Sequence, residues 1–423
     1  MRDGGRISAA IEVLTEIETR HRPARLALKA WGDASRFAGA KDRAFVSGLV
    51  MDALRKRRSM AWRMGGEGPR AVALGVLRFG WDWPLERIAE AAADEPHGPG
   101  ALTEAERAAL EAPSDLADAP PDVRGDYPDW LEPAMERAFG DARAGAGAAL
   151  AERAPVDLRI NTLKTDSERA LKALAPLHAQ PAPALATAAR IAAPDPTTRG
   201  GAVETIPAFS KGWFEVQDLG SQIAAAAAGE VKGAQVLDFC AGGGGKTLAL
   251  AAAMASTGQI YAYDADARRL ADTIRRAQRA GVRNLQVRSP MEADPLRGLA
   301  GRMDVVFVDA PCTGSGAWRR NPDTKWRLTP DALARRQADQ DAVLRDAAGF
   351  VKPGGRMIYV TCSVFREENE DRVAAFLQAD PAFSVAPPPP ELSPYLTTEG
   401  YLRLAPHTSA TDGFFAAALA RAA

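Results

Sequence analysis

The chain has 423 residues, with 53 basic and 54 acidic side chains, a formal net charge of −1 and 46% hydrophobic residues. This composition excludes disordered, fibrous and membrane-spanning classes and allows two or three domains with full-sized cores. The charged start at Arg2, Asp3 and Arg6 excludes a secretory signal, and apolar stretches such as 248–255 are too short to cross a bilayer, so a soluble, cytoplasmic protein is expected.

Residues 6 to about 140 read as helical, with apolar positions at Ile7, Ile11, Leu14 and Ile17, and again at Ala44, Phe45, Leu49 and Leu54, spaced mostly three to five apart. His21 and His97 are expected on its surface. From 141 to 230 the texture changes to a strand-like run over 156–161, a helix from Ser167 to Leu174, and prolines 181, 183, 194 and 196, which together indicate a small α/β module with a loop or linker. From 231 onward, β-branched and aromatic runs at 235–239, 259–263, 285–288, 305–308, 357–361 and 414–419 alternate with helical patterns. That alternation predicts an α/β catalytic domain over 231–423 with a largely parallel, doubly wound sheet.

Balanced charge means that any nucleic-acid contact must come from local patches, of which Arg55-Lys56-Arg57-Arg58 near Trp62 and Arg319-Arg320 with Lys325-Trp326-Arg327 are candidates. Taken alone, each reads equally well as a solvated helix face or loop. The three cysteines, at 240, 312 and 362, form no C-x-x-C pair and have no histidine at ligand spacing, so neither a disulfide framework nor a metal site is expected. Isolated cysteines are most often buried small hydrophobes.

The first strand of the sheet runs into Asp238-Phe239-Cys240-Ala241-Gly242-Gly243-Gly244-Gly245-Lys246-Thr247 and then an apolar helix. Glycines at a strand-to-helix turn let the backbone approach a ligand and aim amides at it. A phosphate-binding Walker loop would need glycine where Cys240 stands, and a dinucleotide loop would need its third glycine where Thr247 stands. Asp238 and Asp264, each closing a strand, instead fit the two acidic posts of a methyltransferase cofactor site. A carboxylate at Asp264 can accept from both ribose hydroxyls, although a turn or cap aspartate is an equally plain reading. Arg269 is placed with this cofactor-facing set.

Two further loops follow strands: Asp309-Ala310-Pro311-Cys312 and Thr361-Cys362-Ser363. Carboxyl ends of parallel strands are where open α/β sheets bind ligands, so both cysteines are expected to face one crevice. Carbon 5 of cytosine is a poor nucleophile, and a thiolate that adds to carbon 6 activates it. Asp309 would hydrogen-bond the ring N3 or exocyclic amine, and Lys246 would orient Asp309 or neutralise charge. The residues alone leave the roles of the two cysteines interchangeable.

These loops resemble the signatures of the RsmB/Nop/Sun family of RNA cytosine-5 methyltransferases. Arg159-Ile160-Asn161-Thr162-Leu163-Lys164, Phe214 to Asp218, Arg320 to Trp326, Glu367-Glu368-Asn369-Glu370 and Asp412-Gly413-Phe414-Phe415 resemble further family elements, so that residues 130–423 are covered. The helical segment 1–140 resembles the NusB-like RNA-binding domain of bacterial RsmB proteins.

The resemblance implies a Rossmann-like, S-adenosylmethionine-dependent sheet, with Cys362 as nucleophile and Cys312 assisting product release. It also implies a monomer without metal that methylates carbon 5 of a cytosine in RNA, 16S rRNA in particular, with the module at 141–230 gripping RNA. Two departures stand out. Gly242 and Gly243 replace the family's alanine and proline, giving a floppier loop, and the usual aspartate near the adenine is missing, with Ser289 or Glu292 as stand-ins. The alternative is a non-catalytic RNA-binding or ribosome-assembly factor on a methyltransferase scaffold.

Overall fold

The computed structural model describes residues 1–197 and 203–423. The chain divides into two compact units. Among the described residues no helix is long and apolar enough to cross a membrane.

The first unit comprises Met1–Arg153 together with the described residues 194–197 and the segment Ala317–Leu328. It is helical, with Asp3–Arg20, Ala24–Ala34, Ala40–Arg55 and Arg57–Met64 leading a series of shorter helices. The three-to-four spacing buries Ile7, Leu14, Ile17, Phe45, Leu49 and Leu54 in one core, while His21 and His97 are exposed. A helical N-terminal region of this kind is consistent with a NusB-like domain.

The two basic patches meet inside this unit, which alters how they read. Arg55 is buried and donates through Nε and Nη2 to the Arg319 carbonyl at 3.0 and 2.9 Å. The Lys325 ammonium, 1% exposed, donates to the carbonyls of Arg55 and Asp126. Burial brings that ammonium down to about 7, against the pull of the Asp126 carboxylate. Arg55 and Lys325 are therefore internal struts, and their expectation as solvated cations or RNA contacts is corrected. Sequence reading missed this because a charge run carries no signal of the partner that buries it.

The second unit comprises Ala154–Ala193, the described residues 203–316 and Thr329–Ala423. Its smaller, antiparallel sheet holds β1 (Val156–Ile160), β2 (Gln180–Pro181), β3 (Ala188–Ile191) and β4 (Phe214–Val216) in the order β2-β3-β1-β4. The proline-rich stretch is thus partly strand: Pro181 pairs with Ala189 at the sheet edge, where its missing N–H costs no ladder bond.

The larger sheet holds β5 (Gln235–Asp238), β6 (Gln259–Tyr263), β7 (Leu285–Arg288), β8 (Met303–Asp309), β9 (Val351–Thr361), β10 (Phe383–Val385), β11 (Leu402–Leu404) and β12 (Phe414–Arg421). Their order is β10-β12-β9-β8-β5-β6-β7, with β11 paired to β12. Strands β5 to β9 are parallel, and β12 runs antiparallel to β9. Helices cover both faces, so the central strands are apolar throughout: Val305 to Val308 and Met357 to Val360 are fully buried. The chain runs from β5 out to β7 and then crosses to β8 on the other side of β5. That reversal opens a crevice beyond the carboxyl ends of β5 and β8.

Candidate active site

Each chemistry-bearing loop starts at a strand end beside this crevice. The crevice has a volume of about 740 Å³, and its walls include Cys240 to Gly243, Gly245, Lys246, Asp264, Arg269, Asp309, Cys312 and Cys362. Thus all the sequence-predicted site residues except Asp238 and Gly244 line one space. Those two lie just behind it.

The glycine loop is shaped by two positive φ angles, 53° at Gly242 and 80° at Gly244. A Cβ at Gly244 would also meet Thr273 at 2.8 Å. Gly242 and Gly243 make three hydrogen bonds to their surroundings. Gly242 N–H donates to Asp264 at 2.8 Å, its carbonyl accepts from Thr273 Oγ1 at 3.0 Å, and the Gly243 carbonyl accepts from Arg276 Nη1 at 2.5 Å. Two of these contacts come from side chains of the helix Ala267–Ala280, Thr273 and Arg276.

Asp264, 5% exposed, accepts from the N–H groups of Gly242 and Asp266 at 2.8 Å each, and the Arg269 guanidinium lies 3.5 Å away. Asp238 is fully buried. Its Oδ2 accepts from Thr247 Oγ1 at 2.6 Å, and its Oδ1 has no partner. Burial pushes Asp238 up to about 7, against the Thr247 hydrogen bond. A buried acceptor without a donor is costly unless a ligand supplies one.

With an acid closing β6, a glycine turn at a helix N-terminus and an orphaned carboxylate oxygen, the donor set fits a cofactor bearing ribose hydroxyls and an amino group. Ser289 and Glu292 do not join it. The Ser289 N–H faces Glu292 Oε1 at 3.4 Å, and neither residue lines the crevice.

On the other side of the crevice, β8 and β9 are neighbours in parallel register, Asp309 opposite Val360. That register delivers the Cys312 and Cys362 sulfurs to within 3.3 Å of each other, both free thiols. Gly316 N–H donates to the Cys362 carbonyl at 2.9 Å, and Gly413 N–H to the Gly316 carbonyl at 2.8 Å. Here glycine is required, because a Cβ at Gly316 would meet the Gly413 carbonyl oxygen at 2.1 Å. The Asp412-Gly413-Phe414-Phe415 element thereby acquires a physical role.

The hydrogen bond shared with Cys362, then burial, then the charge of Cys362 hold the Cys312 thiol well above its ordinary range. The two thiols share one hydrogen bond, for which either sulfur can be the donor. Burial and neighbouring carboxylates also push up the Cys240 thiol, which makes it a wall group with no thiolate to offer.

Lys246, 9% exposed, donates to Asp309 Oδ2 at 2.7 Å and lies 5.2 Å from the Phe414 ring centre. Burial would depress this ammonium, but the Asp309 charge and hydrogen bond more than offset it and leave it raised. Asp309, so tethered, lines the same crevice as the two cysteines.

Several groups escaped sequence reading. Gln217 and Ser221 line the crevice, and Arg159 Nε donates to Gln217 Oε1 at 2.7 Å, so two motifs 58 residues apart form one buried contact. Arg336 and Val343 reach the crevice from the helix Pro330–Ala348, where nothing in the local pattern marks them.

Comparison with known proteins agrees with this geometry. Residues 227–420 match the family described as 16S rRNA methyltransferase RsmB/F. A Synechocystis protein named "Probable ribosomal RNA small subunit methyltransferase B" is 34% identical over 304 residues, which are 70% of this chain and 67% of that one. The ribosomal RNA small subunit methyltransferase B of Klebsiella pneumoniae is 32% identical over 258 residues, 60% of this chain but only 58% of that one. Among solved structures, PH0851 is 26% identical with a TM-score of 0.73, covering 99% of both chains. A methyltransferase homologue from Pyrococcus horikoshii is also 26% identical, with a TM-score of 0.59 over 71% of this chain and 97% of its own. The family's cofactor is S-adenosylmethionine, which the donor set fits. The chain is a member of the RsmB/F methyltransferase family.

Proposed function

We propose that the protein transfers a methyl group from S-adenosylmethionine to carbon 5 of a cytosine in RNA, the small-subunit 16S rRNA, through a covalent bond between Cys362 and carbon 6. The observation that carries this reading is the pair of thiols 3.3 Å apart in one crevice with the Lys246–Asp309 pair. Neither a plain N-methylation nor an O-methylation calls for two cysteines, whereas carbon-5 chemistry needs a nucleophile and help with its departure.

Asp264, the loop from Cys240 to Gly245, Lys246 and Arg269 would hold the cofactor, with Asp238 behind them. When bound, S-adenosylmethionine supplies the electrophilic methyl group. The Cys362 thiolate adds to carbon 6, and the electron pair of the 5,6 double bond moves to carbon 5, which takes the methyl. Asp309 meets N3 or the exocyclic amine of the extruded base, with Lys246 fixing its carboxylate. Release then requires loss of the carbon-5 proton: that bonding pair re-forms the double bond, the sulfur–carbon bond breaks, and Cys362 leaves as thiolate. Cys312, whose thiol is held well above its ordinary range, assists by holding a water that acts as the base.

Single-residue variants test this. Cys362→Ala should abolish transfer, while Cys312→Ala should accumulate an RNA–protein adduct stable to denaturing gels. Undiminished transfer by the Cys362→Ala protein would end the proposal.

A further inference from the structure

We propose that Glu368 is a positioning residue for the reacting pair: its buried carboxylate gathers donors from both cysteine loops and the helix behind them, and so sets the separation of the Cys312 and Cys362 sulfurs. The inference rests on the reading of those thiols as the reacting pair, and nothing in the sequence pattern separates Glu368 from its acidic neighbours Glu367 and Glu370.

Glu368 is fully buried. Its Oε1 accepts from the Thr313 N–H at 2.8 Å and from Gln340 Nε2 at 3.0 Å. Its Oε2 accepts from the hydroxyls of Thr313 and Ser363. Gln340 also donates to the Pro311 carbonyl at 2.9 Å. The residues on either side of Cys312 and the residue following Cys362 are therefore bound to one group, directly or through Gln340.

A carboxylate in the interior costs several kcal/mol of lost hydration unless its lone pairs are met. A leucine would fill the space at less cost but would leave these donors unsatisfied and the two loops untied. The carboxylate is itself anchored, since Tyr359 OH of β9 donates to the Glu368 carbonyl at 2.6 Å. Rigid mutual placement matters because displacement of a reacting group by about 1 Å can cost on the order of 10²-fold in rate.

The charge has a second consequence. After the Cys362 hydrogen bond, burial and the Cys362 charge, Glu368 is a further influence that keeps the proton on Cys312. Lys246 and Tyr359 also feel the two sulfurs, Lys246 through Cys362 and Tyr359 through Cys312.

Full-length Glu368→Gln, Glu368→Asp and Thr313→Val proteins test the proposal. The hydroxyls of Thr313 and Ser363 can turn to accept from an amide, so the glutamine removes the charge while sparing the fold. Iodoacetamide labelling of Cys312, read by peptide mass spectrometry without RNA or cofactor, should show its pH midpoint lowered in Glu368→Gln. Glu368→Asp should stay near the parent. With RNA and S-adenosylmethionine, Glu368→Gln should lower kcat by roughly 10²-fold with the KM for the cofactor unchanged, and aspartate should restore part of it.

A parental kcat in a Glu368→Gln protein of parental melting temperature would overturn the proposal. Should that variant not fold, Thr313→Val decides: a fall in kcat of about tenfold at constant cofactor KM supports the proposal, and parental kcat refutes it. Labelling requires no methyl transfer, so failure of the functional reading would show separately, as a parent protein that transfers nothing to cytosine.

Discussion

The Sγ atoms of Cys312 and Cys362 lie 3.3 Å apart, just beyond the ends of two neighbouring parallel strands, as free thiols. A disulfide needs about 2.05 Å, so a small movement separates this contact from a covalent bond. Mild oxidation with diamide should join the two residues within one chain, abolish methyl transfer, and be reversed by dithiothreitol. Mass spectrometry of unreduced peptides checks this, with recovery of only unlinked Cys312 and Cys362 peptides as the contrary result.

Asp264 takes the Gly242 N–H of the cofactor loop and the Asp266 N–H at the start of the following helix. Loss of a charged acceptor costs about 1.5–3 kcal/mol per interaction. Asp264→Ala should therefore weaken S-adenosylmethionine binding by roughly 10- to 100-fold. Calorimetric titration reads the change, and parental affinity would remove Asp264 from the cofactor site.

Asp238 supplies a pH dependence. Burial raises its carboxyl from 3.8 to about 7 in the fold. Because the folded value is the higher one, the native state holds a proton that the unfolded chain gives up. The stability from this group is full below about pH 4 and is lost as pH rises through about 7. Three units correspond to an upper limit of about 4 kcal/mol. Asp238→Asn keeps the shape without the charge. Its stability relative to the parent, from urea titrations without cofactor, should grow between about pH 4 and pH 7 and then level off. A difference independent of pH would contradict the assignment.

Gly316 carries the close approach to Gly413 that ties the Cys312 loop to the start of β12. Its obstacle is backbone, which cannot swing aside as a flexible side chain does. Gly316→Ala should cost about 1–3 kcal/mol or more and lower transfer sharply. Thermal denaturation and an activity assay together read it, and a fully stable, fully active alanine variant would show that the contact is dispensable.

How much of this was legible in the sequence follows from what each residue answers to. The central strand runs of the large sheet stood out because burial on both faces demands continuous apolar side chains, as at Val305 to Val308 and Met357 to Val360. The short strands Phe383–Val385 and Leu402–Leu404 did not, since three residues at a sheet edge carry too little periodicity. Within the site, Lys246, Asp309, Cys312 and Cys362 were legible because their loops follow strands in recognisable patterns. Glu368, Gln340 and Gln217 were not, because their roles come from partners 28 to 58 residues away along the chain. The buried Arg55 and Lys325 were misread for the same reason: a cation's partner can be a distant carbonyl, which leaves no trace in composition.

The central claim is carbon-5 methylation of an RNA cytosine. Incubating the purified protein with S-adenosylmethionine carrying a labelled methyl group and unmodified small-subunit rRNA, then digesting the RNA to nucleosides and separating them by mass spectrometry, tests it most directly. The account predicts label in 5-methylcytidine alone, absent with the Cys362→Ala protein. Label in any other nucleoside, or cofactor binding without transfer, would contradict it.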